Sequence, residues 1–192
     1  SVQFDGKIVL IGFGCVGRVL FFMLVRTLKM DFNKFIIIDK QDKINEIKLI
    51  LKKLGNIHNV KFLKYQIIES NYKLIFDSIN LSKNDIIIDC SYMIDTISIM
   101  NYCSKHQLSY INSCIEDWDY TTLDDPFKYS LFCKHKKLEK CNTTLPKNFN
   151  LLVSMGCNPG NVSIWCNIAI ESLANKKNIT TTGKSPALLV TE

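Results

Sequence analysis

No apolar run in this 192-residue chain reaches the ~18–20 residues that a membrane-spanning helix needs. The longest candidate, Val16 to Leu28, is interrupted by Arg18 and Arg26. The amino end, Ser1-Val2-Gln3-Phe4-Asp5, does not read as a signal peptide. It also lacks an initiator Met, which an internal start or Met removal before Ser would equally produce. No Cys-x-x-Cys pair occurs among the eight cysteines, which are spread from Cys15 to Cys166. Free thiols in or beside strands and turns, as expected of Cys15, Cys90 and Cys114, behave as small hydrophobes. A reduced, cytoplasmic protein is therefore expected. The three His are scattered and no Cys cluster accompanies them, so no metal site is expected.

Arginine is nearly missing as well. The formal charge of +6 is carried by lysine, with Arg18 and Arg26 the only arginines. Guanine contacts and phosphate forks favour Arg, so nucleic acid is not an expected partner. The densest basic stretch, Lys134-His135-Lys136-Lys137 with Lys140, reads as a solvated face. With 47% hydrophobic and 22% charged residues the chain is an ordinary globule, long enough for one domain and the start of another.

What is present is a glycine turn in a telling context. The apolar run Lys7-Ile8-Val9-Leu10-Ile11 enters Gly12-Phe13-Gly14-Cys15-Val16-Gly17, and a helical apolar pattern follows at Val19, Leu20, Met23, Leu24 and Leu28. In this spacing Gly12 permits a tight turn, Gly14 lets backbone approach a pyrophosphate, and Gly17 lets helix pack on strand. The helix start then offers orphan N–H groups to the anion. A second run, Phe35-Ile36-Ile37-Ile38, ends in Asp39, 22 residues beyond Gly17. An acid there takes the ribose hydroxyls of the adenosine half. A 2′-phosphate with about two charges set ~4 Å from that carboxylate is opposed by roughly 1–4 kcal/mol. NAD is thus expected over NADP, with Lys40 and Lys43 softening the preference.

Further along, Ile44 to Leu54 reads as an amphipathic helix closed by Gly55, Val60 to Ile68 as a strand, and Tyr72 to Ile79 as a short helix. Asp85 to Ser91 reads as a buried strand with a polar end, Ile94 to His106 as a helix, and Ser109 to Cys114 as a fifth strand. Ser91 and Cys114, at two strand ends, join the glycine turn as candidate cofactor contacts. Alternating strands and helices give a doubly wound parallel sheet, Rossmann-like, with helices on both faces. The expected division is a dinucleotide-binding domain over 1–170 and the start of a second, truncated domain over 171–192. The first helix is apolar nearly all round, with Phe21, Phe22 and Val25 placed away from the 16/20/24 stripe, so burial on two sides is expected.

Two later segments carry possible chemistry. Asn150 to Gly156 reads as a sixth strand, entering Cys157-Asn158-Pro159-Gly160 and another helix. Asn158 there would either approach a nicotinamide or cap the helix. Cys114-Ile115-Glu116-Asp117-Trp118-Asp119-Tyr120 gathers three carboxylates with two aromatics. Such a loop would either attract a cation or remain an exposed acidic loop with Trp118 tucked under the domain.

Three motifs in this order, Ile11-Gly12-Phe13-Gly14-x-x-Gly17-Arg18, Asn112-x-Cys114-Ile115-Glu116-x-Trp118 and Gly156-x-Asn158-Pro159-Gly160-x-Val162-Ser163, resemble bacterial-type homospermidine synthase, a relative of the saccharopine dehydrogenases. Asp117 departs from the family, which has Pro there. The resemblance implies tightly held NAD, a polyamine substrate (putrescine, spermidine) and a homo-oligomer such as a dimer. A diamine carbon would be oxidised to an imine, the amine exchanged, and the new imine reduced again. By position, Glu116 would be a carboxylate of the polyamine site, and Asn158 would lie near nicotinamide and substrate. The family's enzymes are much longer, so the chain would be their amino-terminal portion, binding NAD but inactive or impaired alone. A saccharopine or carboxynorspermidine dehydrogenase and a non-catalytic dinucleotide-binding protein are the alternatives.

Overall fold

The computed structural model describes residues 2–55, 59–118, 130–146, 149–155 and 161–176. In chain order these form β1 (Val2–Gln3), β2 (Ile8–Ile11), α1 (Cys15–Thr27), β3 (Leu28–Lys29), β4 (Phe35–Asp39), α2 (Ile44–Lys53) and β5 (Lys61–Lys64). There follow α3 (Tyr72–Ser78), β6 (Ile86–Asp89), α4 (Thr96–His106), β7 (Ser109–Asn112), α5 (Leu131–Thr144), β8 (Leu151–Leu152) and α6 (Asn161–Lys176).

Six strands form one parallel sheet in the order β5-β4-β2-β6-β7-β8, the doubly wound arrangement expected. The central strands are buried on both faces, and their side chains alternate between two cores. Ile8 and Leu10 join Phe35 and Ile37 under Phe21, Ile47 and Leu51 of α1 and α2. Val9, Ile11, Ile36 and Ile38 pack with Phe76, Ile99 and Met100 of α3 and α4 on the other face. The chain passes from the outer strand β5 back across the sheet to β6, which lies directly beside β2. That reversal of direction opens a crevice at the carboxyl ends of β2 and β6.

Three elements differ from expectation. The strand expected over Val60–Ile68 is only Lys61–Lys64, because it pairs with β4, and β4 ends opposite Lys64 at Asp39. Of the sixth strand, expected over 150–156, the described residues take strand form at Leu151–Leu152. Ser154, at φ 63°, leaves extended geometry and breaks it. In α1 only one side is buried, by Gly17, Phe21 and Val25, while Val16, Val19 and Met23 are exposed. Gly17 sets this phase. A Cβ on it would lie 2.0 Å from the Gly12 carbonyl oxygen, so this face must meet the sheet, and Phe21 and Val25 follow one and two turns later.

Candidate dinucleotide site

The glycine turn is built as its spacing requires. Gly12, at φ 85°, sits so close to β6 that a Cβ would lie 2.9 Å from the Cys90 carbonyl carbon and oxygen. A side chain would both strain that turn and collide with the neighbouring strand. At Gly14 the opposite holds: a Cβ would meet no protein atom within 4 Å. Packing does not require glycine there, and the open space faces the crevice. Gly14 is also the N-cap of α1, with no side-chain cap and no acid in the first turn. The first helical amides, at Cys15, Val16 and Gly17, therefore keep the anion-binding character of a helix start.

A cavity of about 450 Å³ opens there, and its wall includes Gly12, Gly14, Asp39 and Ser91. Asp39 is half-buried at the end of β4. Its Oδ2 accepts the Phe13 backbone N–H at 2.7 Å and its Oδ1 that of Gln41 at 2.8 Å. The acid does not cap α2; Asp42 accepts the Ile44 N–H there, at 3.1 Å. Asp39 instead joins the glycine turn to the second strand, as Gly12 does by donating to the Ile38 carbonyl at 2.9 Å.

The other expected residues divide. Phe13 is fully buried and packs edge-on against Phe21 at 5.6 Å, so it anchors the turn and its ring does not reach the cavity. Cys15 and Val16 are exposed at the helix start, outside the cavity wall, as is the buried Gly17. Cys114 is half-buried, its Sγ directed to the Ile115 carbonyl at 3.8 Å, and it too lies off the wall. Glu116 is half-buried, and its backbone is pinned from both sides by Thr96. Thr96 Oγ1 accepts the Glu116 N–H at 2.9 Å, and the Thr96 N–H donates to the Glu116 carbonyl at 3.0 Å. Asn158 lies outside the described residues, as do Asp119 and Tyr120 of the acidic loop.

Sequence reasoning missed much of the cavity wall. Tyr65 to Glu69 line it after β5 stops, and Tyr92 to Ile94 line it after β6. Trp118 lines it as well. Its indole donates to Ser98 Oγ at 3.2 Å and its ring packs on Tyr72 at 5.4 Å, so this residue does tuck under the domain. The basic stretch is not wholly a solvated face. Lys134 is buried, donates to the Ile115 carbonyl at 3.2 Å and lies 4.0 Å from Asp117, which Lys137 also approaches at 3.7 Å. Part of the acidic loop's charge is thereby balanced within the chain.

Burial tunes the groups behind the cavity. Desolvation pushes the Asp89 carboxyl up, against hydrogen bonds from Ser91 and Tyr110 that pull it down. Burial and the Asp89 charge push the Cys90 thiol up to about 11, leaving it neutral and unreactive at ordinary pH. Neither arginine lines this wall. Arg18 holds Glu46 at 3.0 Å and the Gly14 carbonyl at 3.3 Å, and Arg26 lies over the Phe22 ring at 5.5 Å. Among the described residues no three His, Cys, Asp or Glu gather as a metal site, and no helix is long and apolar enough to cross a membrane.

Residues 8–149 match the saccharopine dehydrogenase NADP binding domain. The chain belongs to that family. The homospermidine synthase of Blastochloris viridis is 24% identical over 189 residues, 96% of this chain and 38% of the relative. That of Mesorhizobium japonicum is 24% identical over 177 residues, 90% of this chain and 35% of the relative. A crystal structure of the homospermidine synthase of Legionella pneumophila, solved in complex with NAD, shares the fold. Its TM-score is 0.76 at 24% identity, covering 95% of this chain and 36% of the other. The chain thus spans little more than a third of the length of these relatives.

Proposed function

We propose that this chain is the NAD-binding, amino-terminal portion of a cytoplasmic homospermidine synthase. The observation that carries the reading is the open space at Gly14. It sits between an uncapped helix start and Asp39, in a chain that aligns along nearly its whole length with two homospermidine synthases. The amides of Cys15, Val16 and Gly17 would hold the pyrophosphate, and Asp39 the adenosine ribose. Tyr65 to Glu69 would border the adenine, and Ser91 to Ile94 would lead toward the nicotinamide. Bound NAD would take a hydride from an amine-bearing carbon of putrescine or spermidine and return it after amine exchange. Glu116 would attract the polyamine, and Asn158 would contact both nicotinamide and substrate. Domain residues 1–170 would bind the cofactor, with a substrate domain starting at 171 and dimerisation completing the enzyme.

The family's NADP name and the presence of Lys40 in the cavity wall favour a second reading, an NADP-dependent dehydrogenase of the saccharopine or carboxynorspermidine type. Against it stand the Asp39 carboxylate and the engagement of both arginines, which leaves neither in the wall for a substrate carboxylate. Supplying putrescine and NAD to the gene product that carries this chain separates the possibilities. Homospermidine formed without net NADH is the expected result, whereas steady NADH accumulation supports the dehydrogenase. Bound NAD with no turnover would leave a non-catalytic dinucleotide-binding protein. The 192-residue chain alone is expected to bind NADH and turn over little or nothing.

A further inference from the structure

Asn112 is 2% exposed, a polar side chain buried at the carboxyl end of β7. Pairing of β6 with β7 sets it directly beside Asp89. Its amide nitrogen donates to the Tyr110 hydroxyl at 3.2 Å and to Thr96 Oγ1 at 3.1 Å. Its side-chain oxygen accepts the Ser154 N–H and its carbonyl the Met155 N–H, each at 2.9 Å. From Tyr110 the chain of bonds runs to Asp89 Oδ2 at 3.3 Å. Asp89 Oδ1 in turn accepts the Ser91 N–H at 2.9 Å and the Ser91 hydroxyl. From Thr96 it runs to the backbone of Glu116. Tyr110 and Thr96 are fully buried and Asp89 is 5% exposed, so this path is shielded from water between its two ends.

Burying polar side chains in a sheet of isoleucines costs stability unless they are hydrogen-bonded, and Asn112, Tyr110, Thr96 and Asp89 all are. Such a connected network favours one arrangement over others. What it holds are the three segments that leave the carboxyl ends of β6, β7 and β8. These are the cavity wall at Ser91, the segment at Glu116, and Ser154–Met155.

We propose that Asn112 is a positioning residue that registers these three segments and couples occupation of the dinucleotide cavity at Ser91 to the placement of Glu116. The inference rests on the dinucleotide reading of the cavity. It goes beyond that reading by assigning a function to a buried side chain that is not part of the cavity wall. A ligand that orders Ser91 tightens Asp89 and Tyr110, and through Asn112 and Thr96 steadies the Glu116 amide.

The test is residue-resolved amide hydrogen exchange of this chain with and without NADH. In the wild type NADH is expected to slow exchange at both Ser91 and Glu116, the latter by roughly five-fold or more. Tyr110→Phe and Thr96→Val, which keep side-chain bulk, break the path on either side of Asn112. In each, NADH should still protect Ser91 while the response at Glu116 falls below about two-fold. Thr96→Ser, which keeps the hydroxyl, should retain it. Should Tyr110→Phe fail to fold, Asn112→Leu, which leaves the Thr96–Glu116 bonds in place, decides, because Thr96→Val also removes the Glu116 amide's own acceptor. Equal protection of Glu116 in wild type and broken variants would overturn the coupling alone. Absence of NADH binding by the wild type would overturn both the coupling and the dinucleotide reading.

Discussion

Asp39 Oδ2 accepts the Phe13 backbone N–H at 2.7 Å, so the acid that ends the second strand of the βαβ unit is part of the glycine turn itself. The same carboxylate that would read a ribose also holds the peptide between Gly12 and Gly14. Substitution should therefore have two separable consequences. Asp39→Ala is expected to weaken NADH binding by about 1–3 kcal/mol through lost charge-assisted hydrogen bonds. It should also lower the urea midpoint, because the Phe13 and Gln41 amides lose their acceptor. Titration and denaturation of one variant check both. Unchanged affinity would remove Asp39 from the ribose, and an unchanged midpoint would remove it from the turn.

The glycines should behave unequally. Gly17→Ala forces a Cβ to within 2.0 Å of the Gly12 carbonyl and should cost about 1–3 kcal/mol or more in stability. Gly14→Ala, which meets no atom within 4 Å, should leave stability within about 0.5 kcal/mol. Urea denaturation of the two variants separates a glycine kept for packing from one that packing does not require.

The face that α1 turns inward can be checked on its surface. Val19→Lys, at 65% exposure, should be nearly neutral, whereas Phe21→Ala, at 0%, should cost roughly 3–5 kcal/mol. Comparable losses at both positions would mean that the helix is covered on two sides after all.

Cys90 supplies a pH-dependent expectation. With its thiol pushed up to about 11 from an ordinary 9.0, it should resist alkylation at pH 8 while exposed Cys15 and Cys166 are labelled. Burial favours the neutral form, so its contribution to stability is complete below pH 9 and is lost as pH rises toward 11. Mass-resolved labelling across that range checks it. Rapid modification of Cys90 at pH 8 in the folded protein would contradict the burial argument.

How much was legible in the chain depended on whether a feature is local. The strand, glycine turn, helix, strand and terminal acid form a contiguous pattern of chain geometry, and the structure matches it from Ile8 to Asp39. The sheet followed from isoleucine runs that must be buried on both faces. The phase of α1 was not legible, because apolar residues occupy nearly every side of it. Only the three-dimensional contact of Gly17 with Gly12 decides which side meets the sheet. Nor was the cavity wall at Tyr65 to Glu69, since the end of β5 is set by its partner's end at Asp39 and not by its own alternation. Lys134 looked like one more solvated lysine. Its burial follows from α5 lying against the Ile115–Asp117 segment, a contact no periodicity encodes.

The most direct measurement is titration of this chain with NADH, wild type beside Gly14→Val, followed by fluorescence or calorimetry. The expected result is one-to-one binding by the wild type. Gly14→Val should keep the fold, as its denaturation midpoint would show, and lose the ligand, because the side chain fills the space left for the diphosphate. Full-strength binding by Gly14→Val, or none by the wild type, would contradict the assignment of the glycine turn.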